Sequence, residues 1–217
     1  MVTYLLKKSY QHKNLKEINF YDLWGERGMF TTMWIFGKPP KILFFNKHIK
    51  NLIKSLNNYK LNKPNLEKNI LKLLKTNIKK NRKYNHLLRI AVNNKIISIS
   101  LRKRLKSKLQ FNLKLVDYQR SDPKYKNLKY QIILRYLSKM NTSNSDIGLC
   151  NNGKILESGT SNILFVKKDK IFSPANKIYK GITYNFFKKK LCKIINKNIL
   201  IKSLHDYDEI ILIGSGK

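Results

Sequence analysis

Apolar and polar positions alternate with a period near two through much of the first hundred residues. Short β-branched and aromatic runs at 1–6, 18–23, 28–36 and 40–45, separated by Gly, Pro and Asn, predict strands. The turn Gly37-Lys38-Pro39-Pro40 marks a hairpin between the last two. The period then changes. His48, Ile49, Leu52, Ile53 and Leu56 recur at helical spacing behind Asn46, a candidate N-cap. A second helix is predicted over 65–78, started by Pro64 and carrying Leu66, Ile70, Leu73 and Leu74 on one face. Strand patterning returns at 86–92, 96–101 and 109–118.

The stretch around Arg120–Pro123 breaks this pattern and reads as a connection. Beyond it the pattern predicts a helix over 126–140 and strands at 146–150, 154–157, 162–166 and 170–173. A helix over 181–195 and a last strand at 209–214 complete the series. The expected architecture is α+β in two lobes: 1–115, a linker at 116–123, and 124–217.

Composition sharpens this outline. With 217 residues, 42% hydrophobic and 11% aromatic, the chain has the material for a folded core. It has no run of eighteen apolar residues and no signal-peptide pattern, so a cytoplasmic protein without membrane contact is expected. Cys150 and Cys192 lie far apart and read as small buried hydrophobes. The four histidines are scattered, and no metal site is expected.

Lys+Arg 46 against Asp+Glu 12 gives a net charge of +34. Such a balance ordinarily points to nucleic acid. Here Lys, Asn and Ile are raised together along the whole chain, as AT-rich codons produce, and no nucleic-acid motif accompanies them. Polyanions are expected to bind only non-specifically, while the field favours a small anionic substrate. A basic nucleic-acid-binding protein on a cofactor-free scaffold is the alternative from another class.

Three features could carry chemistry. Lys126 heads a predicted helix; a desolvated lysine is a base or nucleophile, but a solvated surface lysine would look the same. Glu157 is notable because acids are scarce. It precedes Ser158-Gly159-Thr160-Ser161-Asn162 and could hold a protonated ring nitrogen or merely pair with a surface lysine. Gly181-Ile182-Thr183 opens a helix, whose free N–H groups and hydroxyl suit a phosphate or simply a cap.

The order and spacing of these three resemble the fold-type IV (class IV) pyridoxal-phosphate enzymes, which include branched-chain and D-amino-acid aminotransferases and aminodeoxychorismate lyase. The segment 28–56 is similar to the family's N-lobe signature, Lys126-Asn127-Leu128-Lys129 to its lysine motif, 153–166 to its glutamate motif, and Lys180-Gly181-Ile182-Thr183 to its phosphate step. The resemblance implies a class IV fold shortened at the C-terminus and pyridoxal 5'-phosphate as coenzyme. It implies Lys126 as the catalytic lysine, Glu157 at the pyridine nitrogen, and Ser161, Ile182 and Thr183 at the phosphate. It also implies a homodimer.

Phe30-Thr31-Thr32 resembles the lyases, where aminotransferases usually carry Glu after Phe. This implies conversion of 4-amino-4-deoxychorismate to 4-aminobenzoate and pyruvate on the route to folate, with an aminotransferase as the alternative. Thr31 or Thr32 could position the carboxylates, and Phe30, Thr31 and Arg89 are the candidate substrate contacts. Asn51 stands where the family has a phosphate-binding Arg, and Lys129 where it has Asn. The chain stops at Lys217, where relatives continue.

Overall fold

The computed structural model describes residues 3–61, 63–106, 110–190 and 193–216. Two compact units emerge: Met1–Arg104 with Lys126–Lys129 and Gly216, and Leu105–Tyr125 with Tyr130–Ser215 and Lys217.

In the first unit the chain runs through β1 (Tyr4–Gln11), β2 (Glu17–Ile18), β3 (Gly28–Gly37), β4 (Lys41–Ile42), α1 (Phe45–Asn58), α2 (Leu66–Asn77), β5 (Tyr84–Asn93) and β6 (Ile96–Lys103). The strands form one sheet in the order β2-β1-β6-β5-β3-β4. Period-two alternation gives this sheet two different faces. Met29, Met33, Ile35, Leu88, Ile90, Ile97 and Ile99 are fully buried on the face that α1 covers. Each such side chain contributes about 1.5–3 kcal/mol on burial. The opposite face carries Thr32, Arg89, Ser98, Ser100 and Arg102.

The helices begin where packing demands. Phe44, with a left-handed backbone (φ 54°), occupies the N-cap of α1, and Asn46, the expected cap, lies inside the helix. Burial of His48, Ile49, Leu52 and Leu56 fixes the start instead of a side-chain cap.

Lys126–Lys129 is not the head of a helix. Met29 and Asn127 form an antiparallel bridge, the Phe30 amide donates to the Lys126 carbonyl (2.9 Å), and the Leu128 amide donates to Gly28 (3.0 Å). With those backbone groups committed to β3 and Leu128 fully buried, the helix starts only at Gln131.

Gly28 makes this pairing possible. A Cβ there would lie 2.3 Å from the Val92 carbonyl oxygen and 2.6 Å from Leu128 Cδ1. Gly28→Ala is expected to lower stability by about 1–3 kcal/mol, read as a lower urea midpoint.

The second unit contains β7 (Asn112–Asp117), α3 (Gln131–Ser138), β8 (Ser145–Asn151), β9 (Lys154–Ser158), β10 (Asn162–Lys167), β11 (Lys170–Pro174), α4 (Ile182–Lys190), β12 (Ile194–Lys197), β13 (Ile199–Leu200), a 3₁₀ turn (Ile201–Asp206) and β14 (Glu209–Ile213). Two four-stranded sheets result, β12-β11-β10-β14 and β13-β9-β8-β7. Cys150, Ile155, Ile163, Phe165 and Ile199 fill the space between them. Alternate residues face outward: Ile147 and Leu149 pack with Ile133 of α3, and Leu164 packs with Tyr184 of α4. The layers are helix, sheet, sheet, helix.

Several boundaries differ from the sequence pattern. The strand β7 lies wholly in the second unit, because it pairs in parallel with β8. The expected linker 116–123 therefore starts with the end of a strand and contains Arg120, only 3% exposed. The helix expected to reach 195 is described over Ile182–Lys190 and gives way to β12 by Ile194. Ile194 and Ile195 instead pair in parallel with β11, where Ile194 reaches the Leu164–Tyr184 core. Cys150 is buried, as its hydrophobic reading expects. Cys192 lies outside the described residues. No helix among the described residues is long and apolar enough to cross a membrane.

Candidate functional site

The first unit places Lys126 beside Phe30, with Nζ 5.1 Å from the ring centroid. Behind Phe30 its ring meets Trp24 edge-on (4.8 Å), and Trp24 in turn carries the Arg89 guanidinium at 4.1 Å. Arg89 forms an ion pair with Asp22 (2.7 Å). Thr32 lies directly opposite Arg89 in the β3–β5 register and shares a strand face with Phe30.

Thr31 was expected with Phe30 and Arg89 toward substrate. It points the other way. It is 5% exposed, and its hydroxyl is hydrogen-bonded to His48 Nδ1 of α1 at 2.8 Å. Strand alternation is the reason, and Thr32 takes the face that Thr31 was assigned. Asn51, in the place of the family arginine, lies in α1.

Burial, followed by the charge of Lys126, pushes the His48 imidazole down from 6.5 to about 3. Between those values the unfolded chain binds a proton that the native chain refuses. Stability therefore rises with pH across this window and is lost as pH falls through it, by about 1.4 kcal/mol per unit at most. His48→Gln keeps a partner for Thr31 without titrating. Its urea midpoint is expected to fall less steeply with acid than that of the wild type.

In the second unit Glu157 ends β9 at 5% exposure. One carboxylate oxygen accepts from Arg120 Nε at 2.7 Å, with the two side chains 7% and 2% exposed. The other accepts from the Tyr179 amide at 3.2 Å. Burial is the strongest influence on Arg120 and pulls it down. The charge and hydrogen bond of Glu157, with Tyr130 and Tyr179, outweigh it and carry the guanidinium above its ordinary value. The pair is ionised. Arg120 also donates to the carbonyls of Pro123 and Tyr125 (both 3.0 Å), which fixes the backbone leading into Lys126.

A hydrogen-bonded chain joins Glu157 to the start of α4. The carbonyl of Tyr179, whose amide Glu157 holds, accepts from Asn162 Nδ2 (2.6 Å), and Asn162 Oδ1 accepts from the Gly181 amide (3.0 Å). Helix α4 then begins at Ile182, and the amides of its first turn have no intrahelical acceptors. Thr183 Oγ1 is buried and has no hydrogen-bond partner among the described residues. Ser161 sits at the head of β10, 9% exposed, its amide bonded to Ser158 Oγ (2.8 Å). Glu157, Ser161, Ile182 and Thr183 thus belong to one connected framework, anchored by Asn162.

Two groups that the sequence pattern did not single out, one buried and one half-buried, hold the turn after Glu157. Asp146, fully buried, accepts from Thr160 Oγ1 (2.5 Å), Ser158 Oγ (3.2 Å) and the Ile147 amide (2.8 Å). Tyr130 donates its hydroxyl to the Gly159 carbonyl, and burial raises its phenol well above the usual range. Asn162 and Arg120 were also missed. The signal for Arg120 was present: a scarce, buried carboxylate needs a buried cation, and the chain holds only seven arginines among 46 basic residues.

The sequence profile of the class IV aminotransferases matches residues 28–217. No curated protein matches the chain. Among solved structures, the branched-chain aminotransferase of Thermoproteus uzoniensis, with norvaline, is 16% identical with a TM-score of 0.77, covering 96% of this chain and 84% of its own. A Haemophilus somnus protein, provisionally assigned as a 4-amino-4-deoxychorismate lyase, is 21% identical with a TM-score of 0.66, covering 89% and 97%. An aminotransferase of Brucella abortus, bound to pyridoxal phosphate, is 14% identical with a TM-score of 0.72, covering 97% and 88%. At these identities the structures establish the fold. With a profile match over most of its length, this chain belongs to the class IV aminotransferase family.

Proposed function

We propose that this chain is a pyridoxal-phosphate-dependent lyase that converts 4-amino-4-deoxychorismate to 4-aminobenzoate and pyruvate. The residues fit the coenzyme. The unpartnered Thr183 Oγ1 lies at the start of a helix, where the N–H groups of Ile182 and Thr183 await an anion. The Glu157 carboxylate, kept charged by Arg120, can accept a further hydrogen bond from a protonated ring nitrogen. Ser161 adds a hydroxyl toward the phosphate. Pyridoxal phosphate, when bound, supplies an electron sink for the charge left at a carbon that loses its proton.

The protein's own groups do the rest. Lys126 Nζ takes the proton from the amine-bearing ring carbon of the substrate. Phe30 packs beside Lys126, while Arg89 and Thr32 orient carboxylates. Departure of the enolpyruvyl group as pyruvate leaves an aromatic ring, which drives the step.

The observation that carries the lyase reading is the strand Phe30-Thr31-Thr32 beside Lys126. It places Thr32, not an acidic residue, opposite Arg89, so that the strand adds no carboxylate to the one that Asp22 already brings to Arg89. The same reading makes the working form a cytoplasmic homodimer acting on a small anionic amine.

A product assay tests it: 4-aminobenzoate should accumulate from 4-amino-4-deoxychorismate without any keto acid. Strict need for a keto-acid acceptor assigns the chain to the aminotransferases and sinks the lyase reading. Thr183→Val is expected to weaken coenzyme binding by roughly tenfold or more, the loss of one hydrogen bond to a charged group. A fluorescence titration with pyridoxal phosphate measures it.

A further inference from the structure

The face of the first sheet that carries Thr32 and Arg89 continues onto β6. Arg89 lies directly opposite Ser100, and Leu87 directly opposite Arg102. Arg89 and Arg102 are therefore diagonal neighbours on one face, with about 7 Å between their backbone positions. Both residues are half-buried, and burial is the main cause that lowers each guanidinium below its ordinary value; the charge of Arg102 also lowers Arg89. Neither can shed its charge.

Their partners are unequal. Arg89 holds Asp22 and Trp24, yet its Nε–H is buried without an acceptor. Among the described residues the Arg102 side chain has no hydrogen bond or ion pair, and only the nearby Tyr4 phenol favours its charge. Ser98 and Ser100, the small polar residues of β6 on this face, are buried, and the Ser98 hydroxyl is held by Ser9 Oγ (2.8 Å) and donates to the Tyr21 carbonyl (2.6 Å). Two desolvated cations against one carboxylate cost stability unless a bound anion compensates.

We propose that Arg102 is a second carboxylate anchor of the substrate site, acting with Arg89 to select a substrate that carries two carboxylates. This rests on the reading of that sheet face as the substrate face. The planar fork of Arg102 suits a bidentate carboxylate, and the diagonal spacing suits two carboxylates borne on the 1- and 3-substituents of a single ring. Arg102 is a specificity residue, with no part in proton transfer.

Calorimetric titration of the full-length, coenzyme-loaded protein with isophthalate and with benzoate tests the assignment. Wild type is expected to prefer the dicarboxylate by roughly tenfold or more, the effect of one additional charged hydrogen-bonded contact. Arg102→Met should abolish the preference and leave benzoate binding intact, and Arg102→Lys should restore part of it. An unchanged preference in Arg102→Met, or none in wild type, overturns the assignment.

Ser100→Asp provides a second route if Arg102→Met does not fold. A carboxylate placed between the two guanidiniums should displace isophthalate, and unaltered isophthalate binding contradicts the proposal. Failure of the lyase reading is distinguishable: no 4-aminobenzoate would form while the isophthalate preference and its loss in Arg102→Met remained.

Discussion

Lys126→Ala is expected to lower turnover by roughly 10⁴-fold, the upper range for removing a positioned acid–base group, and to remove the visible absorbance of the coenzyme-loaded protein. The fold should survive. The Lys126 ammonium contributes a cation–π contact to Phe30, worth about 0.5–1 kcal/mol, while the backbone of this segment does the structural pairing through the Lys126 carbonyl and the Leu128 amide. Activity and stability therefore separate in this variant. Steady-state assay and urea unfolding, run on the same preparation, check both.

Arg120→Met has the opposite balance. It leaves the Glu157 carboxylate buried without its cation, and breaking a buried ion pair from one side costs about 3–5 kcal/mol. It also frees the carbonyls of Pro123 and Tyr125. Thermal unfolding should shift down on the order of 10 °C. Surviving folded protein should bind pyridoxal phosphate with an altered spectrum, because Glu157 can then take a proton and stop stabilising a protonated ring nitrogen. Arg120→Lys should recover part of the stability, since an ammonium supplies charge without the fork that reaches Glu157 and two carbonyls at once. Normal stability in Arg120→Met contradicts the role given to this pair.

Much of this was legible in the sequence because strand alternation and helical spacing report burial directly. The strands at 28–36, 146–150, 154–157 and 162–166 correspond to β3, β8, β9 and β10 within a residue or two. What was illegible depended on partners distant in the chain. The segment at Lys126 has the composition of a helix start, yet its amides and carbonyls belong to β3, one hundred residues earlier. Ile194 and Ile195 extend the helical spacing of α4, yet they complete a parallel pairing with β11. Thr31 and Thr32 are chemically equivalent in sequence; only the register with β5 and the position of His48 tell which one is consumed by the core.

The candidate site shows the same division. Glu157 stood out because carboxylates are rare, and Thr183 because it follows Gly181 at a helix start. Arg120, Asp146 and Tyr130 carry no local pattern of their own, and Asn162 stands in the glutamate motif without any sign there of its role. They become visible through the buried atoms they satisfy: the Glu157 oxygens, the Gly181 amide, and the hydroxyls and carbonyl of the turn at Ser158–Thr160.

In this reading one lysine, among 46 basic residues, bears the coenzyme. Borohydride reduction of the protein loaded with pyridoxal phosphate, followed by peptide mapping, tests it most directly. A single stoichiometric pyridoxyl label is expected on Lys126, absent from Lys126→Ala. A label spread over surface lysines, or one placed stoichiometrically on another lysine, contradicts it.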